Sequence, residues 1–389
     1  MKREVETHGR DARSEKRQTR RRWVMRGVLI AALLGAAGFL LAASGIIPIT
    51  ASSRHWAITR WFLNFSKERS VATHSIGIKV PPLNDEWRIL KGAGHFETGC
   101  RPCHGSPDVP QPRIAFAMTP NPPPLSTHGQ DFEPAELFYI VKHGIKFTGM
   151  PAWPSQNRDD EVWDMVAFLR KLPELDGEQY RRLVHGTATP DDDAPLQELL
   201  PSRGTRNVVS QNCARCHGSD GNGRGNEAFP ALAGQKEQYL YASMKAYLEK
   251  RRHSGIMEPI AAGLDDAAMR EIARYYSALP RRASPSTNAA AIARGETIAL
   301  RGIPARRVAA CAQCHGPSPV ESNPFYPRLA GQYAGYLELQ LGLFQKRARG
   351  GTPYSHVMHY TADTLSAEER RDVALYYSSL EYQTTEDEP

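Results

Sequence analysis

The sequence predicts an all-α protein in which one N-terminal transmembrane helix is followed by three small helical domains. Three observations support this prediction: an uncharged apolar stretch at 27–49, three copies of one cysteine–histidine motif, and helix-forming segments with few strand signals. The chain of 389 residues is long enough for several domains. A hydrophobic content of 41% and a charged content of 23% are ordinary for globular proteins.

The first 26 residues are predicted to form a basic cytoplasmic head. They hold ten Lys and Arg against four Asp and Glu, so six of the seven net positive charges lie here. The rest of the chain is close to neutral, and no basic patch runs through it. The sequence therefore gives little support to binding of nucleic acid.

Residues 27–49 are predicted to be a transmembrane anchor. About 23 residues at about 1.5 Å each give roughly 35 Å of helix, enough to cross a hydrocarbon core. Arginines 20–22 precede the stretch, and an excess of basic residues marks the cytoplasmic side, so 50–389 should lie outside. A cleaved signal peptide is the competing interpretation, although its apolar region is usually shorter. The arginine pair also fits a twin-arginine export signal, which we favour less.

The six cysteines form three C-x-x-C pairs, each followed at once by a histidine. C-x-x-C-H is the attachment signature of c-type haem, because thiols at i and i+3 share a helical face and the next histidine can ligate the iron. Three disulfides would leave the histidines unexplained, and zinc would need two more ligands per site. We therefore predict three covalently bound haem c groups, held by Cys100, Cys103, His104, Cys213, Cys216, His217, Cys311, Cys314 and His315.

Each haem iron is expected to take a methionine as its second axial ligand, because a His–Met pair raises the reduction potential. A methionine occurs about 40–50 residues after each motif, far enough for the chain to wrap around a porphyrin. The predicted iron ligands are therefore His104 with Met150, His217 with Met257, and His315 with Met358.

Other residues compete for these axial positions. Met118 lies too soon after the first motif, and Met165 falls in an apparent helix that suggests a core position. His356 and His359 are possible substitutes at the third haem, and His253 is a weaker one at the second.

A second pattern lies between each histidine and its methionine. Residues 229–235 (FPALAGQ) and 326–332 (YPRLAGQ) repeat each other, whereas the first unit has prolines at 122–124. A proline carbonyl here is predicted to accept a hydrogen bond from Nδ1 of the motif histidine, which orients the ring. A turn without this contact is the alternative, and the first unit leaves the bond in doubt.

These residues together resemble class I c-type cytochromes, small helical domains that each wrap one haem. Gly92 and Phe96 look like that family's N-terminal helix contact, and Trp163 and Phe168 look like its C-terminal helix. Residues 203–383 more specifically resemble dihaem cytochromes of the c4 type, because two PxLAGQ segments and two matching helices ending in Tyr-Tyr repeat there. The first unit departs from that pattern and resembles a separate mono-haem domain.

The domain organisation follows from these signals. Ser366 with Glu369 forms a capping box by spacing, and Asp265 with Asp266 begins the corresponding helix one unit earlier. Aromatic residues from Trp56 to Phe65 suit a membrane interface or a partner's membrane helices equally well. The predicted segments are a head at 1–26, an anchor at 27–49, a juxtamembrane segment at 50–83, haem domains at 84–175, 203–281 and 289–383, a linker at 176–202 and a short break at 282–288.

The resemblance implies a protein that transfers electrons on the periplasmic face of a bacterial inner membrane. The expected donor is a quinol–cytochrome c reductase or a periplasmic dehydrogenase, and the expected acceptor is a terminal oxidase or a soluble cytochrome. A cytochrome subunit fixed in a dehydrogenase or oxidase complex is the alternative. A haem peroxidase is less favoured, because it needs an open sixth position and every haem here has a methionine candidate.

Overall fold

The computed structural model describes most of the chain, with side chains from residue 17 onward. The described ranges are 2–47, 49–128, 131–186, 198–200, 202–225, 227–282, 288–317 and 323–381. The acidic run at 191–193 in the predicted linker, most of the break at 282–288 and the tail at 384–389 lie outside these ranges. Two units can be distinguished, Met1–Trp56 and Ala57–Pro389.

The N-terminal unit is dominated by helix α1, Lys2–Ala43. The part Arg17–Ala43 has a mean hydropathy of 2.1 and is long and apolar enough to cross a membrane. The helix ends six residues before the predicted end of the anchor, because Gly45 takes a left-handed conformation with φ of +67°. The apolar side chains of α1 are exposed, which suits either a membrane span or an export signal.

Helix α2, Ala57–His74, opens the second unit. Its C-terminal half packs on the protein: Val71 is buried, and the ring of His74 stacks on Tyr139 with centroids 5.4 Å apart. Its N-terminal half instead exposes large apolar side chains, with Trp61 60% and Phe62 58% exposed.

The first helical group, residues 86–185, surrounds the first C-x-x-C-H motif. Its helices are α3 (Glu86–Gly99), α4 (Arg101–His104), α5 (Arg113–Phe116), α6 (Leu125–His128), α7 (Pro134–His143), α8 (Asp159–Lys171) and α9 (Gly177–His185). Most of its core comes from α3, α7 and α8, and Met165 belongs to this core with 1% exposure, as predicted.

Helices α3 and α8 cross in close contact at Gly92. A Cβ there would lie 2.2 Å from the backbone oxygen of Asp164, so only glycine allows the approach. Next to the crossing, the rings of Phe96 and Phe168 lie 5.1 Å apart. The predicted contact between the N- and C-terminal helices is confirmed.

Helix α9 lies in the segment 176–202, which the sequence predicts to be a linker. Tyr180 is fully buried, and its hydroxyl donates to Glu97 on α3 at 2.7 Å. Its ring also meets Phe96 edge-on, with centroids 6.2 Å apart. The first group therefore continues to residue 185, because a Tyr–carboxylate bond and an aromatic contact hold α9 on α3.

The second helical group (202–282) and the third (288–381) repeat one arrangement. The second has α10 (Arg203–Val208), a π turn (Val209–Cys213), α11 (Ala214–His217), α12 (Glu237–Leu248), α13 (Met257–Ala262) and α14 (Asp266–Ala278). The third has α15 (Ala289–Arg301), α16 (Ala312–His315), α17 (Ala334–Gln345), α18 (Ser355–Asp363) and α19 (Ala367–Ser379).

The predicted helix starts in these groups are confirmed. Asp265 accepts a hydrogen bond from the backbone N–H of Ala268 at 2.7 Å, and Ser366 forms a reciprocal capping box with Glu369. Helices α15 and α19 cross as closely as α3 and α8, since a Cβ on Gly295 would lie 2.0 Å from the backbone oxygen of Asp372.

The fold class is all-α, as predicted. Within the described ranges the only pairing of extended backbone is a single antiparallel bridge between Ile303 and Val308. Each helical group has a core cluster of its own. The described helices therefore form three helical groups, and the exact domain limits stay predictions.

Candidate haem sites

Each C-x-x-C-H motif folds into one helical turn. The backbone N–H groups of Cys103 and His104 both donate to the carbonyl of Cys100, and the third motif shows the same pair of bonds to Cys311. This turn places the two cysteines on one face, as their spacing predicts. All six cysteines are among the described residues, and none of them forms a disulfide.

A glycine that was not predicted from the sequence ends every one of these turns. Gly105, Gly218 and Gly316 follow the three histidines with φ between 68° and 79°. A side chain would be strained there, and a Cβ on Gly218 would also lie 2.9 Å from the backbone oxygen of Gly223. The sequence repeats Cys-His-Gly at all three motifs, and this repeat could have predicted the glycine that ends each turn.

The motif histidines donate to proline carbonyls. Nδ1 of His217 lies 3.0 Å from the oxygen of Pro230, and Nδ1 of His315 lies 2.9 Å from that of Pro327. Since a carbonyl can only accept, Nδ1 carries the proton and Nε2 keeps its lone pair. The predicted bond is confirmed in both groups.

The first group forms the same bond with a different sequence. Nδ1 of His104 lies 2.7 Å from the carbonyl oxygen of Pro123, which belongs to the proline run at 122–124. The proline run of the first group therefore provides the same acceptor as the repeated segments of the other two groups.

Burial favours the neutral form of the three motif histidines. Burial lowers the pKa of His104, His217 and His315, and the hydrogen bond to the proline carbonyl opposes this only in part. A neutral imidazole with a free Nε2 is the form that ligates iron.

The second and third motifs open onto one largely apolar cavity of about 400 Å³. Its wall contains Cys216, His217 and Met257 from the second group, and Cys314, His315 and Met358 from the third. In the second and third groups, the structure thus brings the motif histidine and its predicted methionine to the wall of one common cavity. The size and apolar character of this cavity suit cofactors.

The predicted ligands of the first site lie in separate loops of the first group. His104 is fixed by Pro123, and Met150 lies in a turn where its carbonyl accepts from the N–H of Ile145 at 3.2 Å. The side chain of Met118 reaches this turn, because a Cβ on Gly149 would lie 2.1 Å from its methyl carbon. Met118 therefore stays an alternative to Met150.

The alternative histidine ligands have other surroundings. Nε2 of His359 lies 2.7 Å from the carbonyl oxygen of Arg349, so that nitrogen donates and is not available to a metal. His356 is exposed, and the side chain of His253 is 38% exposed near Glu258.

Two buried arginines face the shared cavity, and neither was predicted from the sequence. Arg252 is 6% exposed and donates to the hydroxyls of Ser243 at 2.9 Å and Tyr336 at 3.3 Å. Arg349 is 9% exposed and donates to the hydroxyl of Tyr239 at 2.7 Å. Within the described ranges, neither guanidinium forms an ion pair with a carboxylate.

The positive charge of this pair affects its neighbours. Burial alone would raise the pKa of Tyr239, but Arg349 and Arg252 outweigh it and lower the pKa to about 8. Buried cations need anionic partners. Since haem carries two propionate carboxylates, the arginines, the thiols and the neutral histidines together fit haem as the group bound here.

Reciprocal glutamine contacts join the second and third groups. Gln332 accepts from the N–H of Ala231 at 3.0 Å and donates to its carbonyl at 2.9 Å. Gln235 does the same to Arg328, at 2.8 and 3.0 Å. Ala231 and Arg328 each directly follow the proline that binds a motif histidine, so each group supports the histidine-orienting loop of the other.

The first group packs directly on the second motif, a contact that the sequence could not show. A Cβ on Gly94 of α3 would lie 3.1 Å from Sγ of Cys216 and 3.0 Å from the ring of Phe229. Arg224 also donates to the carbonyl of Leu183 at the end of α9, at 2.6 Å.

Comparison with known families agrees with this geometry. The family described as "Cytochrome C oxidase, cbb3-type, subunit III" matches residues 88–169. The family described as "Cytochrome c" matches residues 202–279. Each matched range contains one of the C-x-x-C-H turns.

Several relatives are similar to part of the chain. The thiosulfate dehydrogenase electron acceptor of Thiomonas intermedia is 34% identical over 169 residues, which are 43% of this chain and 77% of that protein. Cytochrome c4 of Pseudomonas aeruginosa is 31% identical over 169 residues, 43% of this chain and 83% of that protein. The cytochrome c4 structure of Acidithiobacillus ferrooxidans is 35% identical and covers 43% of this chain and 98% of that chain, with a TM-score of 0.39.

The sequence relatives share identity over most of their own lengths, and the motif turns here have the thiols and histidines that covalent haem requires. The chain belongs to the c-type cytochromes, electron carriers with covalently bound haem c, and it resembles cytochrome c4.

Proposed function

We propose that this protein is a membrane-anchored triheme cytochrome that relays electrons in the periplasm, with its N-terminus in the cytoplasm. The observation that carries the proposal is the cavity shared by the second and third motifs, together with the packing of Gly94 against Cys216. Two attachment sites that line one cavity, with the first helical group packed on one of them, suit a relay, because an electron can pass from one haem to the next within one chain.

The side chains have separate tasks in this relay. The six cysteines would hold the haems through thioether bonds, and His104, His217 and His315 would ligate the irons from one side. Met150, Met257 and Met358 would ligate them from the other. When bound, each haem supplies a one-electron iron couple.

The rest of each site sets the conditions for electron transfer. The proline carbonyls fix the imidazole rings, and the apolar wall keeps water away from the ligands. Arg252 and Arg349 would pair with propionate carboxylates at the cavity and so offset the negative charge that these groups place near an iron.

A periplasmic dehydrogenase is the donor that we favour. Two relatives are named as electron acceptors of thiosulfate dehydrogenase, from Thiomonas intermedia and from Stutzerimonas stutzeri, where the identity is 33% over 185 residues. A quinol–cytochrome c reductase is the other candidate donor. A terminal oxidase or a soluble cytochrome would take the electrons after transient docking.

A permanent subunit of a larger complex is the second candidate function. The exposed apolar half of α2 favours it, with Ile58 66% and Trp61 60% exposed. Such a surface suits a lipid interface or another protein's membrane helices.

Membrane fractionation tests the anchor. We expect the full chain to stay with the membrane after a high-salt wash, because an apolar helix is not released by ionic strength. A variant with 1–49 replaced by a cleavable signal should appear in the periplasm with the same haem content. A wild-type protein found soluble, with a mature N-terminus near residue 50, would contradict the anchor.

Purification in mild detergent separates the carrier from the fixed subunit. A carrier is expected to elute without other chains and to be reduced by an added periplasmic dehydrogenase in a reaction that slows as salt rises. Stoichiometric copurification of another chain would instead establish the subunit function.

A further inference from the structure

We propose that Glu161, in the first helical group, is a positioning residue for Met257, the axial ligand at the second haem. The proposal deepens the proposed function and rests on its ligand set. It assigns to the first group a task at its neighbour's iron, beyond contributing one more haem.

Glu161 lies on α8 and reaches across to the loop before Met257. It is 2% exposed, and Oε1 accepts from the hydroxyl of Ser254 at 2.7 Å. Oε2 accepts from the backbone N–H of Gly255 at 2.7 Å and from the indole of Trp153 at 3.3 Å. A single buried carboxyl group thus holds two consecutive residues of the loop.

The contact continues from Ser254 to the ligand itself. Oγ of Ser254 accepts from the backbone N–H of Met257 at 3.1 Å, so two consecutive hydrogen bonds join Glu161 to Met257. The N–H of Ser254 donates to Glu258 at 3.0 Å. Ser254 is 3% exposed, so water does not compete for these bonds.

A buried arginine reinforces the contact. Arg158 forms an ion pair with Glu161 at 2.9 Å and donates to the carbonyl of His253 at 2.7 Å. Three successive loop residues, 253–255, are therefore held by the first group. No comparable hydrogen bond from the first group reaches the Met358 loop in the described chain.

The loop that carries Met150 also contacts Gly255 and Glu161. Trp153, three residues after Met150, packs on Gly255, where a Cβ would lie 2.1 Å from the indole nitrogen. Only glycine permits this approach. The loops that carry Met150 and Met257 therefore touch, and Glu161 binds both Trp153 and Gly255.

Exogenous imidazole is a probe of this positioning role. It competes with methionine for oxidised iron, so its affinity reports how readily the Met257 loop opens. Loss of a hydrogen bond to a buried charged group should make that opening about tenfold more favourable. Titrating the full-length holoprotein in detergent, we expect Glu161→Ala and Ser254→Ala to bind imidazole about tenfold more tightly at one haem.

Three further variants make the test specific. Ser355 stands three residues before Met358, as Ser254 does before Met257, so Ser355→Ala is the matched control and should leave the second haem unchanged. Glu161→Gln keeps an acceptor for Gly255 and should be intermediate. In a Met257→Ala background, Ser254→Ala should have no further effect.

The outcomes separate two failures. If Met257→Ala opens a haem to imidazole and neither Ser254→Ala nor Glu161→Ala does, the positioning role is wrong and the ligand set stands. If Met257→Ala itself changes nothing, both fail. Because Ser254→Ala removes one hydroxyl and exposes no buried charge, it answers the question even if Glu161→Ala does not fold.

Discussion

Replacing Met257 by alanine should lower the reduction potential of one haem by on the order of a few tenths of a volt, because axial ligands set haem potentials over about 0.8 V. The thioether stabilises the reduced iron, and alanine offers no ligand in its place. The same result is expected for Met358→Ala at the third haem. Potentiometric titration of the holoprotein should show one step displaced and two unchanged in each variant.

A control distinguishes ligation from packing. Met165 is 1% exposed in the core of the first group, so Met165→Ala should cost about 2–5 kcal/mol of unfolding free energy and leave all three potentials in place. If Met257→Ala and Met358→Ala behave like Met165→Ala, these methionines are core residues and the ligand assignment is wrong.

Replacing Cys213 and Cys216 together by serine should remove one haem and unfold the second helical group. The shared cavity has a volume of about 400 Å³. At about 24 cal/mol per Å³, leaving it unfilled would cost on the order of 10 kcal/mol, and filling only half of it would still cost about half of that. Such losses are comparable with the whole stability of a domain, about 5–15 kcal/mol.

Limited proteolysis and mass measurement check this result. The variant should lose one haem and be cut rapidly between residues 202 and 282. Cys100→Ser with Cys103→Ser is the matched control, because the first motif does not line the shared cavity. That control should lose one haem and keep 202–381 resistant to protease. A Cys213, Cys216 variant that stays resistant would show that the cavity does not depend on attached haem.

The local parts of these sites were predictable from sequence because they depend on near neighbours. The motif turns, the capping box at Ser366 and the start of α14 at Asp265 each need only residues within one helical turn. The bonds from His217 and His315 to proline were also predictable, since the repeated PxLAGQ segment marks the acceptor.

The contacts between groups were not predictable, because their partners lie far apart in the chain. Arg252 and Arg349 occupy equivalent places in the two repeats, and a systematic alignment could have marked them as candidates. Nothing local shows that Arg349 reaches Tyr239 or that Glu161 reaches Ser254. The same reason explains α9, whose docking depends on the distant Glu97.

Mass analysis of the mature protein, made with the cell's haem-attachment machinery, tests the central claim most directly. Intact mass should exceed that of the polypeptide by three haems, and peptide mapping should find one haem on each of the segments that contain Cys100, Cys213 and Cys311. A mass excess of two haems or fewer, or a motif peptide with unmodified thiols, would contradict the triheme account.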